Sequence, residues 1–313
     1  MSEVIIVENL VKKYKDICAV NDISFTVKKG EILGFLGPNG AGKTTTIKSI
    51  LSLLEYEEGR IFVNGMDAKK HKHKIMSDMG AVLEGARNIY WHLSPDENIN
   101  YFAGIMGLGT NKIKEEKEYL LKRLKLWDVK DKEVREFSKG MQQKTAIAAA
   151  IIHKPSILLL DEPTLGLDVE TKNDIKEWII SMSKEQNKTI LITSHDMAFM
   201  ESICDRILII KKGKLLSNNS MTELKDMFAN KKYSITVKEN FSDSDKVSFK
   251  DIGEHEIIEN KDSSVLTVSL KNSKEIYNIF DILKLQNKEI LDINVKENTL
   301  EDIFTNLTTD EVK

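Results

Sequence analysis

The sequence predicts an α/β domain with a helical insertion, followed by a small α+β domain. Three observations predict this. Short apolar strands alternate with amphipathic helices over roughly the first 230 residues. A glycine-rich turn, GPNGAGKTT at 37–45, joins one strand to one helix. Near residue 230 the alternation stops and strand-like runs dominate, so the expected domains are 1–230 and 231–313. A chain of 313 residues, 41% hydrophobic and 30% charged, suffices for one large domain and one smaller one.

Taken in order, MSEVIIVENLVKKY alternates like a strand. DISFTVK (22–28) and EILGFL (31–36) read as short strands with a turn at Lys29 and Gly30, and the helix KTTTIKSILSLL starts at Lys43. RIFVNGMD reads as a strand pair turning at Asn64 and Gly65. From about Leu93 to Lys154 the pattern is helical, through PDENINYFAGIMG, NKIKEEKEYLLKRLKLW and the run after FSKGMQQK. SILLL (156–160) has the continuous apolar character of a buried parallel strand, a helix follows over DVETKNDIKEWIISMSKEQ, and TILITS (189–194) is the next strand. Trp127 and Trp178 fall on helical faces and are expected in the core. In the second part YSITV, SSVLTVSL and EILDINV are strand-like, and KEIYNIFDIL is helical. The closing helix TLEDIFTNL puts Leu300, Ile303, Phe304 and Leu307 on one face, which predicts docking.

Composition narrows the function. With 46 basic and 49 acidic side chains the net charge is −3, so nucleic acid is not expected as the main ligand. HKHK at 71–74 offers two histidines amid lysines, which reads as a solvated charged surface rather than a metal site. Cys18 and Cys204 are too few for a disulfide scaffold and lack metal-ligand spacing, which fits a reducing compartment. The first residues carry Glu3 and Glu8 and do not read as a secretory signal, and no apolar run approaches the ~18 residues of a membrane span. Work at a membrane would therefore need spans from another chain.

The chemistry concentrates at two strand ends. In Gly37, Pro38, Asn39, Gly40, Ala41, Gly42, Lys43, Thr44 and Thr45, the glycines let backbone N–H groups turn inward around phosphate oxygens. Lys43 supplies a point charge to the β- and γ-phosphates, and the Thr44 hydroxyl can ligate Mg²⁺. SILLLDEP ends a buried strand in Asp161 and Glu162, delivering both carboxylates to the edge where open α/β sheets bind ligands. Asp161 would hold Mg²⁺ through water, and Glu162 would act as general base on an attacking water.

Between these lies FSKGMQQK (137–144), in which Ser138 could be a plain helix N-cap or, with Gly140, part of an anion site. The ordered set GPNGAGKTT, SKG (138–140), DEP (161–163), LGLD (165–168) and SHD (194–196) resembles the ATP-binding cassette family over residues 1 to about 230. The resemblance implies a P-loop NTPase of the ABC ATPase type, with an antiparallel β subdomain and a helical subdomain at about 93–154. It implies ATP and Mg²⁺ as cofactors and a homodimer that sandwiches two ATP molecules, with Ser138 and Gly140 of one chain capping the γ-phosphate held by the other. It further implies His195 as the switch residue at that phosphate and Asp168 as the loop aspartate linking the two sites, while also an N-cap. Tyr14 matches the aromatic that stacks on adenine, and packing is its other reading. FSKGM departs from the family's LSGGQ at Phe137, Lys139 and Met141. Glu84 stands where the family usually has a Gln that touches Mg²⁺, and adds a negative charge there.

Glu84, the SKGM form and the tail together look like ATPase subunits of bacterial drug, bacitracin and lantibiotic exporters. Those work on the cytoplasmic face of the membrane through a separate integral membrane permease, whose coupling helix would meet Arg87, Tyr90 and Trp91. The alternative is a soluble cassette ATPase acting on ribosomes or nucleic acid. That class usually carries two cassettes or a long heptad coil, and this chain has neither.

Overall fold

The computed structural model describes residues 2–86, 88–227, 231–249, 255–270, 273–296 and 299–309. The chain divides into two compact units, Met1–Met221 and Thr222–Lys313.

The first unit begins with a long antiparallel hairpin, β1 (Glu3–Tyr14) and β2 (Ile17–Lys28). The next strand, β3 (Ile32–Leu36), is buried at every position. The turn at Lys29 and Gly30 lies between these two strands, as the sequence predicts. It carries the chain from one sheet to another, because β2 alternates as a half-buried strand does and ILGFL has no outward face. Helix α1 (Lys43–Ile50) follows and stops short of the expected Leu54, since Ser52 turns to φ +52° and Leu53 and Leu54 both donate back to the Lys48 carbonyl. Strands β4 (Glu58–Val63) and β5 (Met66–Asp67) form the expected hairpin, with Asn64 and Gly65 both at positive φ. After α2 (Lys72–Met76) and β6 (Met79–Val82) comes the helical part: α3 (Pro95–Ile105), α4 (Thr110–Arg123) and α5 (Lys139–Ile151). Ser94 and Glu97 form a capping box at α3, with Pro95 in its first turn.

The chain then returns to the sheet through β7 (Ile157–Asp161), α6 (Val169–Lys184), β8 (Thr189–Ser194), α7 (Met197–Ile203), β9 (Arg206–Lys211) and β10 (Lys214–Ser220). One four-stranded antiparallel sheet has the order β2-β1-β4-β5, and a six-stranded sheet runs β10-β9-β3-β8-β7-β6. In the larger sheet β9, β3, β8, β7 and β6 are parallel, with β10 antiparallel at the edge. The two sheets share one core, in which Phe25 of β2 meets Phe35 of β3 with ring centroids 5.8 Å apart. Strands β6, β9 and β10 were not singled out from the sequence.

Helix α8 (Met221–Met227) spans the division. The second unit then contains β11 (Lys231–Lys238), α9 (Asp243–Val247), β12 (His255–Glu259), β13 (Ser263–Leu270), α10 (Ile276–Leu285), β14 (Ile290–Lys296) and α11 (Leu300–Thr309). Its antiparallel sheet, ordered β12-β13-β11-β14, packs Ile235, Val237, Leu266 and Val268 against Ile279 and Leu283 of α10. Leu300 and Ile303 of the closing helix are buried, and Phe304 and Leu307 are partly so.

Trp178 is buried, whereas Trp127 lies at the surface between the Lys122 and Lys130 ammonium groups, 5.0 and 5.5 Å from its ring centroid. Lys122 and Lys130 supply a cationic cover that a face-by-face reading of hydrophobicity ignores. His71 and His73 are exposed. No helix among the described residues is long and apolar enough to cross a membrane.

Candidate active site

Because β3, β8 and β7 lie side by side and parallel, their C-terminal ends open on one edge. The loop after β3 turns there into α1. Gly42 caps that helix at φ +107°, and a Cβ on it would sit 2.4 Å from the Ala19 carbonyl oxygen of β2. A Cβ on Gly37 would meet the Ile210 carbonyl, also at 2.4 Å. Both glycines are thus demanded by close backbone approach.

The edge holds a cavity of about 640 Å³ lined by Ala19, Asn39, Gly40, Ala41, Gly42, Lys43, Thr44, Thr45, Glu84, Glu162, Leu165 and His195. Lys43 is buried, donating to the carbonyls of Gly37 at 2.7 Å and Pro38 at 3.3 Å, with Glu162 Oε1 3.9 Å away. Burial pulls its pKa below the ordinary lysine range, against the opposing pull of the carboxylates of Glu162, Asp161 and Glu84. Such a group gives up little hydration when an anion arrives.

At the end of β7 the Asp161 carboxylate and the Glu162 backbone are fixed by threonine hydroxyls. Thr44 Oγ1 donates to Asp161 Oδ2 at 2.8 Å, and Thr193 Oγ1 donates to Asp161 Oδ1 at 2.6 Å. The same Thr193 oxygen accepts from the Glu162 backbone N–H at 3.0 Å. Glu162 sits at φ +50°, a left-handed backbone that a glutamate seldom adopts, and its carboxylate reaches His195 Nδ1 at 2.9 Å. The His195 ring is otherwise open to solvent.

A second group lies where α5 meets α6, outside the cavity lining. Ser138 caps α5, accepting from Met141 N–H at 3.3 Å. Asp168 caps α6, accepting from Thr171 N–H at 2.9 Å and from its hydroxyl at 3.0 Å, and these bonds hold the carboxyl below its usual range. Gly140 fits against Thr171, whose Cγ2 would be 2.8 Å from a Cβ. The Lys139 ammonium extends over Gly166, 3.5 Å from where a Cβ would be. Tyr14 also lies outside the lining; it is exposed, with the Lys12 ammonium 5.3 Å from its ring centroid. Arg87 falls outside the described residues.

A family model described as "ABC transporter" matches residues 20–165, and one described as "ATP-binding protein DrrA1-3-like, C-terminal domain" matches 220–308. The chain is 42% identical over 212 residues to ABC transporter ATP-binding protein NatA of Bacillus subtilis (strain 168), covering 68% of this chain and 86% of the relative. It is 34% identical to the bacitracin transport ATP-binding protein BcrA of Bacillus licheniformis, with 98% of both chains covered. This chain belongs to the ABC transporter ATP-binding proteins.

Solved structures agree with the fold of this ABC protein. The dimeric post-hydrolysis state of the ATP-binding cassette MJ0796, bound to ADP and Pi, superposes with a TM-score of 0.65 at 25% identity, covering 69% of this chain and 98% of that one. The cbiO1 subunit from Clostridium perfringens gives 0.65 at 29% identity, covering 72% and 91%. The ABC protein is accordingly an ATP-binding transporter subunit and an ATPase, and its relatives favour that reading over the ribosomal or nucleic-acid alternative. Sequence reasoning about this ABC site missed Ala19, Leu165 and Thr193. Ala19 and Leu165 carry no polar signal. Thr193 stands next to the SHD segment, and its hydroxyl in an otherwise apolar strand was the available clue.

Proposed function

We propose that the chain powers export of a drug, peptide antibiotic or similar compound through a separate integral membrane permease, on the cytoplasmic face of the membrane and as a homodimer. Supporting this are the full-length similarity to the bacitracin transport protein and the dimeric form of the MJ0796 cassette. The exposed aromatics Tyr90, Trp91 and Tyr101 near the start of the helical part offer the permease a contact, with the Tyr90 and Tyr101 hydroxyls 3.1 Å apart. Residues 1–230 would be the ATPase domain and 231–313 an accessory domain.

The observation that carries the chemistry is Glu162, its carboxylate poised between Lys43 and His195 at the cavity wall. In this reading the amides of Asn39 to Thr45, backed by Gly37 and Pro38, wrap the ATP phosphates, and Lys43 balances the charge that spreads over the γ-phosphoryl oxygens. Glu162 accepts a proton from the attacking water, and His195 holds that carboxylate in place through its Nδ1 contact. Ser138 and Gly140 of each copy face the other copy's γ-phosphate, with Asp168 beside them. Tyr14 stacks on adenine.

Thr44, Asp161 and Glu84 are the residues that would hold Mg²⁺. The donors are all oxygen, and Thr44 and Asp161 already converge to 2.8 Å. Among the described residues no cage of three or more His, Cys, Asp or Glu exists, which suits an ion ordinarily bound by one or two carboxylates plus substrate phosphates. When bound, Mg²⁺ would neutralise charge on the phosphate oxygens.

The test is Glu162→Gln, which should lower ATP turnover by about 10²–10⁴-fold while ATP binding persists. Purified with ATP and Mg²⁺ from detergent-solubilised membranes, this variant should bring a stoichiometric integral membrane chain with it. Co-purification with ribosomes or nucleic acid, or wild-type turnover, would overturn the reading.

A further inference from the structure

We propose that residues 69–74, KKHKHK, dock on the anionic head groups of a lipid bilayer, so that the ATPase touches the membrane directly. This goes beyond the reading above, in which a permease alone brings it there.

All six side chains, four lysines and two histidines, are exposed. Among the described residues none of the four ammonium groups is in an ion pair, although acidic side chains outnumber basic ones in the chain as a whole. The segment is nonetheless fixed in place. It leads into α2, whose Ile75 is buried, and the Lys69 ammonium lies 4.0 Å from the Tyr56 ring centroid. Lys69 and Lys72 line a cleft of about 390 Å³ with Ser52, Leu54, Glu55 and Tyr56. On the same turn, between Ser52 and Leu54, Leu53 is exposed. Glu55 is the acid on this cleft.

The chemistry of the patch selects its occupant. Every fixed cation in it is lysine, a point charge without the planar fork that reads one phosphate in one geometry, so it suits a diffuse anionic surface. Clustered lysines beside an exposed leucine are the composition that binds acidic lipid at an interface. A single-stranded nucleic acid would need aromatic faces for its bases. Here Tyr56 is buried and Lys69 already sits over its ring.

The experiment uses the full chain without a permease. Vesicles of phosphatidylcholine alone, and of a three-to-one mixture with phosphatidylglycerol, are sedimented with the wild type, with K69Q/K70Q/K72Q/K74Q, and with K112Q/K114Q, which removes two exposed lysines of α4. The wild type and K112Q/K114Q should bind the mixed vesicles and not the neutral ones. The quadruple variant should bind them on the order of a hundredfold more weakly. Its ATP turnover should be unchanged, since residues 69–74 line no part of the nucleotide cavity. Three results would overturn the proposal: mixed-vesicle binding that survives the quadruple substitution, equal loss in K112Q/K114Q, or tighter binding of single-stranded RNA that the quadruple variant loses. Because the assay reads neither transport nor permease binding, its failure leaves the exporter reading standing, and the converse holds.

Discussion

Thr193 ties the Asp161 carboxylate to the backbone of Glu162, two acidic residues that the chain places next to each other but does not by itself orient. Its hydroxyl donates to Asp161 and accepts from the Glu162 amide, in a fully buried position. Thr193→Val keeps the shape and deletes both bonds, leaving the buried Asp161 Oδ1 short of a donor while the Glu162 N–H keeps the Thr193 carbonyl at 3.2 Å. We expect a loss of about 1–3 kcal/mol in urea unfolding together with a fall in ATP turnover, while Thr193→Ser restores both. A loss in the Ser variant with none in the Val variant would mean that the methyl group, not the hydroxyl, matters. The residue also marks what the sequence could tell. GPNGAGKTT and SILLLDEP were legible because their chemistry is local, each lying within one turn or at one strand end. Contacts such as Thr193 with Asp161, or His195 with Glu162, exist because β8 lies between β3 and β7, and strand order is not written in any single stretch.

Among elements, the contact of α5 with α6 is set by Gly140 on one side and Thr171 on the other. Gly140→Ala forces its Cβ against the threonine, at an expected cost of about 1–3 kcal/mol that Thr171→Ala in the same chain should largely recover. Chemical denaturation of both single variants and the double variant tests this, and additive losses would refute it. A little further along, Asp174 of α6 binds Lys144 of α5 at 2.7 Å and Lys125 at 2.9 Å. Burial pushes its carboxyl up, but the two lysines outweigh that and hold it below the usual aspartate range. A lowered folded-state pKa contributes stability that is present above the unfolded value of about 3.9 and lost as pH falls through the lower one. Asp174→Asn should therefore unfold more readily at neutral pH and lose less on acidification below about pH 4 than the wild type, as thermal midpoints across that range will report. Continuous apolar runs made β7 and β8 readable, and Asn64-Gly65 made its hairpin readable, because burial and turn chemistry leave a local trace. Strand β6, four residues long with Gly80 packed on the Ala150 carbonyl, owes its conformation to its neighbours and left none.

At the scale of the first unit, one ion pair fastens three strands. Arg206 at the start of β9 grips Glu31, just before β3, through Nε to Oε1 at 2.7 Å and Nη2 to Oε2 at 3.0 Å. Nη2 also donates to the Thr26 carbonyl of β2 at 2.6 Å, linking the antiparallel sheet to the parallel one. Both side chains are largely buried. Arg206→Met strands the Glu31 charge and should destabilise by about 3–5 kcal/mol, whereas Arg206→Met with Glu31→Gln should recover a substantial part. If the double variant is as unstable as the single one, the backbone contact to Thr26 is what matters. The same hairpin that Arg206 secures brings Ala19 into the nucleotide cavity wall, and Cys18 stands next to it in β2, half-buried. The other cysteine, Cys204, is buried, and burial pushes its thiol well above the ordinary range, so it stays protonated and inert. The unaltered chain thus carries a selective attachment point for a maleimide dye beside the phosphate loop, from which nucleotide arrival can be watched in real time.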